Sequence, residues 1–256
     1  MSTRRRATPT TEPAPPAAEV VWERAEPTRR PAPAPLSREA IVRAALALAD
    51  AEGLEAVSLR RVGGALGAGP MRLYGYVSTK EELLDLLVDA VYGEMAAGRA
   101  MRGDWRKVLR GLARGLRRTA DTHPWFVALL GGRPHLGPNA LAYLESTLGA
   151  LDDAGTFGHV DAIMQAVQTV NAYVIGAIQT EAQERVAQAL SGKSKSEWQA
   201  AHAPYIQRLL ATGRFPALAR VLRNATHPPF DVVFERGLGC VLDGIAAQQA
   251  AAKRAR

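Results

Sequence analysis

From position 37 onward apolar residues recur at three- and four-residue spacing, and no stretch alternates apolar with polar residues as a half-buried strand would. The predicted fold class is therefore all-α. Ile41, Ala44, Ala45, Leu48 and Ala49 share one face behind Ser37, whose hydroxyl can accept from first-turn amides, and Gly53 marks the stop. Leu54 and Val57 follow, and then the stretch SLRRVGGALGAGPMRLYGYVSTK, Ser58 to Lys80. It reads as two short helices joined by a glycine turn. Ser58 caps the first; Leu59, Val62 and Leu66 give it an apolar face; Gly67 suits the left-handed position that ends it. Pro70 suits the first position of the second helix, where a missing N–H costs nothing. Leu73 and Val77, four apart, point inward, which turns Met71 and Gly75 outward with Arg72, Tyr74 and Tyr76 on the flanks. Ser78 and Thr79, each with a glutamate three residues on, predict a doubled capping box for the next helix, Lys80 to about Ala97. Leu83, Leu84, Leu87, Val88 and Val91 lie on one side of it.

Beyond that helix the same periodicity predicts helices near 104–121, 124–131, 138–154, 158–190, 196–212, 216–224 and 229–250. The glycine- and proline-rich linkers at 131–138 and 191–196 are the clearest loops. The composition divides the chain into a Pro/Ala/Arg-rich tail at 1–35, a unit of small helices with a connecting helix at 36–97, a larger helical unit at 104–250 and a basic tail at 251–256. Gly98 and Gly103 bracket the joint between the two units. The first tail should be extended; it reads as a solvating segment, although Arg4 to Arg6 and Arg29–Arg30 could also lie along phosphates. Val20, Val21 and Trp22 interrupt it and are candidates for local docking.

Two short helices around a glycine turn, the second too short for a core element and too polar on one side to be buried, are the pattern of a helix-turn-helix reader of the DNA major groove. Leu66, Gly67, Leu73, Tyr74, Tyr76, Val77, Lys80 and Leu83, behind the helix at 40–51 and the segment EGLEAVSLRRV, resemble the TetR family of bacterial transcriptional regulators. The second unit resembles the tetracycline-repressor type of ligand-binding domain. It does so through HPW at His123 to Trp125, GGRP at Gly131 to Pro134, AYVIGAIQTEAQE and FERGLGCVLDGI. The resemblance spans about 36–250.

That resemblance implies base-edge contacts from Arg60, Pro70, Met71, Arg72 and Tyr76, and phosphate contacts from Tyr74 and Lys80. The chemistry agrees, since arginine forks onto guanine and apolar side chains meet a thymine methyl, while lysine and tyrosine position the protein. Gly63 and Gly64 each cost about 1 kcal/mol against alanine inside a helix, which predicts a soft first reader helix. In the long helix Met164, Gln168, Asn171, Ile175 and Ile178 form one stripe, and its two amides must either find core partners or line a cavity. The resemblance favours a cavity for a small hydrophobic effector, with Trp125, Phe126, Leu129, Arg133, Asn139 and Tyr143 as further lining residues. Leu129 stands where the tetracycline repressor carries a metal-binding histidine, so a magnesium-chelated tetracycline is not the expected ligand; no metal and no cofactor are expected. Phe230, Phe234, Gly237, Leu238, Val241 and Ile245 give the last helix a wide apolar face. The residues alone allow core packing there; the resemblance implies a homodimer interface and hence a near-palindromic, double-stranded operator.

Composition adds little. A formal charge of +7 suits nucleic acid, but the cations are mostly arginine in an alanine-rich chain, so the sum is weak evidence. A basic start without an apolar segment behind it predicts no secretory signal, no apolar run approaches a membrane span, and the single Cys240 rules out an internal disulfide. A cytoplasmic location is expected. His123, His135, His159, His202 and His227 are scattered at no metal-ligating spacing, and no nucleophile or phosphate-binding motif appears, which argues against an enzyme. Two other readings stay open: a helical carrier or enzyme whose hairpin is structural, and a nonspecific nucleoid binder driven by the basic tail.

Overall fold

The structure is a computed structural model that describes residues 20–23, 36–97 and 103–254. The predicted tail at 1–35, with its arginine clusters, falls outside the described residues except for 20–23, and so does Gly98. Ten α-helices and two short 3-10 turns make up the described chain, without a strand.

The sequence signals act where they stand. Ser37 Oγ accepts from the Ala40 amide at the head of α1 (Arg38–Glu52), and Gly53 ends it at φ 82°. A 3-10 turn at Leu54–Ala56 leads into α2 (Leu59–Ala65) and α3 (Pro70–Leu73). Helix α4 (Lys80–Ala96) is capped by Thr79, which accepts from the Glu82 amide, while the Glu82 carboxylate accepts from the Ser78 amide. The reciprocal bond thus reaches Ser78, one residue before the N-cap, instead of the N-cap amide that a capping box would use. Ile41, Val57, Val62, Leu73, Val77, Leu83 and Leu87 are fully buried and close these helices around one core. Val21 joins the same hydrophobic cluster from the turn at 20–23, where the Glu23 amide donates to the Val20 carbonyl.

The remaining helices are α5 (Trp105–Thr122), α6 (Pro138–Asp153), α7 (Val160–Ser191), α8 (Lys195–Ala211), α9 (Pro216–Asn224) and α10 (Phe230–Arg254). The helix expected at 124–131 is a 3-10 segment, Pro124–Leu129, and α10 runs to Arg254 instead of ending at 250. Asp104 caps α5 by accepting from the Arg106 and Lys107 amides. Helices α5 and α10 run antiparallel, held in register by Arg106–Asp243, Arg114–Glu235 and Arg117–Asp231 pairs. Each such half-exposed pair contributes roughly 0–1 kcal/mol, so the pairs fix alignment more than stability. Stability comes from beneath them, where Phe234, Leu238 and Leu242 are fully buried against α7 and the Arg117 guanidinium lies 4.8 Å over the Phe234 ring.

That packing corrects the expectation for α10. Phe234, Leu238 and Ile245 belong to the core of a single chain, and Gly237 receives the Tyr173 ring: a Cβ there would stand 2.3 Å from the Tyr173 hydroxyl oxygen. Phe230 and Val241 pack partly against the same core. A wide apolar face on a terminal helix is ambiguous because core and interface use the same residues. Helices α8 and α9 differ from the rest, with no buried residue and with Trp198, Tyr205, Phe215 and Val221 exposed.

Candidate functional site

The reader hairpin is set by local chemistry. Ser58 Oγ accepts from the Arg61 amide, and the Gly63 carbonyl accepts from the Ala68 amide at 2.8 Å, closing the turn across Gly67 at φ 60°. Gly63 is buried where α2 meets that turn, and a Cβ on it would stand 2.7 Å from the Ala68 carbonyl oxygen. It is therefore a contact point that only glycine fits. Gly64 faces open space.

Leu73 and Val77 anchor α3 from below, which leaves Met71 at 80% exposure and Pro70, Arg72, Tyr74 and Lys80 exposed around it. The two neighbouring arginines of α2 divide. The Arg61 guanidinium donates to both Glu52 oxygens at 2.6 and 2.9 Å, a hydrogen bond that also holds the Glu52 carboxyl below its ordinary range. Arg60 is exposed, and among the described residues no carboxylate forms an ion pair with Arg60, Arg72 or Lys80. Tyr76 departs from the expectation of a base contact: it is half-buried, and its hydroxyl donates to the Leu36 carbonyl at 2.8 Å, tying the end of α3 to the entry of α1.

Behind α4 lies a cavity of about 370 Å³, within the range that holds small ligands. Of the residues singled out in the sequence, Arg133, Tyr143, Met164, Gln168, Asn171 and Ile175 line it. Tyr92 of α4 and His135 of the 131–137 loop do so as well, and sequence reasoning missed both. They form an aromatic wall, with Tyr92 ring centroids 5.8 Å from Tyr143 and 5.9 Å from His135. Burial pushes the Tyr92 phenol above its ordinary pKa, so it stays neutral and able to donate. Opposite, the Asn171 side-chain oxygen is buried without a hydrogen-bond partner. A buried amide left so is uncommon and costs about 1–3 kcal/mol.

Four expected lining residues lie elsewhere. Phe126 is fully buried in the core and meets the far side of the Tyr92 ring edge-on at 6.0 Å. Leu129 packs against the core. Trp125 turns to α1, its indole N–H donating to Asp50 at 2.7 Å. Asn139 is held by Asp89 of α4. Their segments do pack beside the cavity; their registers turn these side chains away from it.

A junction joins α1 to the second group of helices. His123, whose side chain is 7% exposed, sets Nδ1 at 2.7 Å from Asp50 and Nε2 at 3.0 Å from Glu94 of α4. Burial alone would lower the imidazole pKa; the two carboxylate hydrogen bonds and charges outweigh it and raise the value. Among the described residues no cluster of His, Cys, Asp and Glu could hold a metal ion.

Comparison with known proteins bears on the family and the fold as a whole. Residues 97–249 match the family profile of the tetracyclin repressor-like C-terminal domain. The HTH-type transcriptional repressor DrrR1 of Streptomyces coeruleorubidus is 36% identical over 89% of this chain and 83% of its own length. The class C tetracycline repressor protein of Escherichia coli is 29% identical over 82% of this chain and 90% of its own. Among solved structures, apo ActR from Streptomyces coelicolor superposes with a TM-score of 0.71 at 29% identity, covering 86% of this chain and all of that one. ActR in complex with actinorhodin gives 0.70 at 28% identity, over 84% of this chain and 97% of that one.

Proposed function

The chain belongs to the TetR family of transcriptional regulators, and from that premise we propose a homodimeric repressor whose hold on a near-palindromic operator is released by a small aromatic molecule. One observation carries this reading: α4 bears the reader hairpin at its N-terminus, through Lys80, and a wall of the cavity near its C-terminus, through Tyr92. A molecule that changes the seat of Tyr92 acts on the same rigid element that aims α3.

Arg60 and Arg72 read base edges, with Met71 and Pro70 against thymine methyls; Tyr74 and Lys80 hold phosphates; Tyr76 braces α3. The cavity favours a flat, largely apolar molecule with polar edges, stacked in the Tyr92–Tyr143–His135 corner. A donor on it would satisfy the Asn171 oxygen, and Arg133 would take a carbonyl or acidic group. Actinorhodin, bound by ActR, has its counterpart here in a ligand of that general kind. The dimer forms through the outward strips of α7 and α10, where Gly176 and Gly244 face open space and allow close helix approach. Such a regulator works in the cytoplasm and not as an enzyme; no described helix is long and apolar enough to cross a membrane.

Selection of genomic fragments by the purified protein at about 150 mM salt, which suppresses purely electrostatic binding, tests the reading. Recovery of a short inverted repeat is expected, and addition of actinorhodin offers a first probe of release. Binding that is unselective and vanishes as salt rises would instead favour a nonspecific nucleic-acid binder.

A further inference from the structure

Among the described residues Asp89 is the only buried carboxylate, at 5% exposure in the middle of α4. A buried charge must be satisfied, and this one is satisfied entirely from another helix. Its Oδ1 accepts from the backbone amides of Asn139 and Ala140 at 2.9 and 3.0 Å, and its Oδ2 accepts from the Asn139 side-chain amide at 3.0 Å. Those amides are the orphan donors at the start of α6, where the local N-cap, Gly137, has no side chain to offer. Asp89 is thus the N-cap of α6, supplied from fifty residues away, and its charge also suits the positive end of that helix.

The fit is tight on both sides. A Cβ on Gly137 would stand 2.1 Å from Asp89 Oδ1, although its φ of −65° places no demand for glycine. One turn along α4, a Cβ on Gly93 would stand 3.1 Å from the Asn139 side-chain nitrogen. The glycines leave room for a clasp between α4 and the head of α6. The residues that follow on α6, Ala140, Tyr143, Leu144 and Thr147, line the cavity, as does the loop that precedes it. Cavity and clasp therefore share one short segment.

Resting on the reading of a ligand-released repressor, we infer that Asp89 is a positioning residue that conveys the state of the cavity to α4 and thereby sets operator affinity. A displacement of the head of α6 cannot occur without moving Asp89 or breaking three hydrogen bonds. Asp89 lies nine residues, or about 14 Å of helix rise, from Lys80, so the push arrives at the reader through a rigid rod.

Wedge variants test this without any small molecule. Gly137→Ala forces α6 away from Asp89, and its affinity for the best genomic fragment should fall about tenfold, within the range of ordinary coupling between sites. Adding Asp89→Gly removes all three Asp89 atoms that obstruct the new Cβ, its own Cβ at 2.7 Å included, and the double variant should return to within about threefold of wild type, a rescue that mere unfolding would not give. Circular-dichroism melting checks that each variant folds. Should Gly137→Ala not fold, the milder pair Gly93→Ala and Gly93→Ala/Asn139→Ala decides by the same pattern. Wedge variants that bind like wild type, or double variants as weak as the wedges, would overturn the clasp. A wild-type protein that selects no fragment at all would overturn the repressor reading, and the clasp with it.

Discussion

The reader hairpin and the cavity sit at opposite ends of α4 and are built on opposite rules. In the hairpin most structural jobs are done by a near neighbour in sequence: Ser58 caps α2, Gly63 receives the turn, Pro70 starts α3 and Thr79 caps α4, with the Tyr76–Leu36 brace as the exception. Its functional groups are what that local grammar leaves outside. The cavity has no local grammar. Tyr92, Arg133, Tyr143 and Asn171 come from α4, a loop, α6 and α7, and the gap between them exists only because distant contacts hold those elements apart. Substitutions should therefore stay local at the reader and propagate through the body.

The largest effect is expected in the body. Phe234→Ala, at a fully buried ring in the α7–α10 core, should cost about 3–5 kcal/mol in chemical denaturation. Gly244→Arg, on the open strip of the same helix, should leave protomer stability near wild type and shift sedimentation from dimer to monomer. At the reader, Gly63→Ala should destabilise by about 1–3 kcal/mol through overpacking against the Ala68 carbonyl. Its neighbour should behave oppositely, with Gly64→Ala stabilising by up to about 1 kcal/mol, since its Cβ meets nothing. Equal effects at the two glycines would contradict the tight contact. Arg72→Ala should lose about 1–3 kcal/mol of discrimination between operator and unrelated DNA, whereas Lys80→Ala should weaken both alike and flatten the salt dependence.

The smallest expected effect lies at the junction between the two regions. The His123 pKa is raised in the folded protein, so the stability its charged form contributes is fully present below the unfolded value of about 6.5 and is lost as pH rises through the folded value. The difference in melting temperature between wild type and His123→Gln should be widest near pH 6 and shrink toward pH 9. A difference constant across that range would mean that the imidazole is held neutral.

This contrast also explains what could be read in advance. The helices from α1 to α10 were legible because caps, glycine stops and apolar periodicity are written within a few residues of where they act. Asn171 and Gln168 were legible as cavity candidates because two amides on an otherwise apolar stripe need an explanation. Asn139, Trp125 and Tyr76 were not, because each is committed to a residue at least forty positions away: Asp89, Asp50 and the Leu36 carbonyl. Asp89 left one faint signal, a carboxylate within the apolar run LLVDAV, and His123 left another in HPW. Neither could be completed without knowing which helix packs opposite. Phe234 and Leu238 failed for a different reason, since an apolar face on a terminal helix looks the same whether its own chain or a second copy covers it.

The central claim is that the reader and the cavity are coupled through α4, and coupling free energy is reciprocal. Hydrogen exchange of the full chain with and without its operator fragment tests this most directly, because operator must then be felt at the cavity. The account predicts altered protection at residues 131–141 and along α4 as well as in the hairpin. Changes confined to residues 36–80, with the head of α6 exchanging identically in both states, would contradict it.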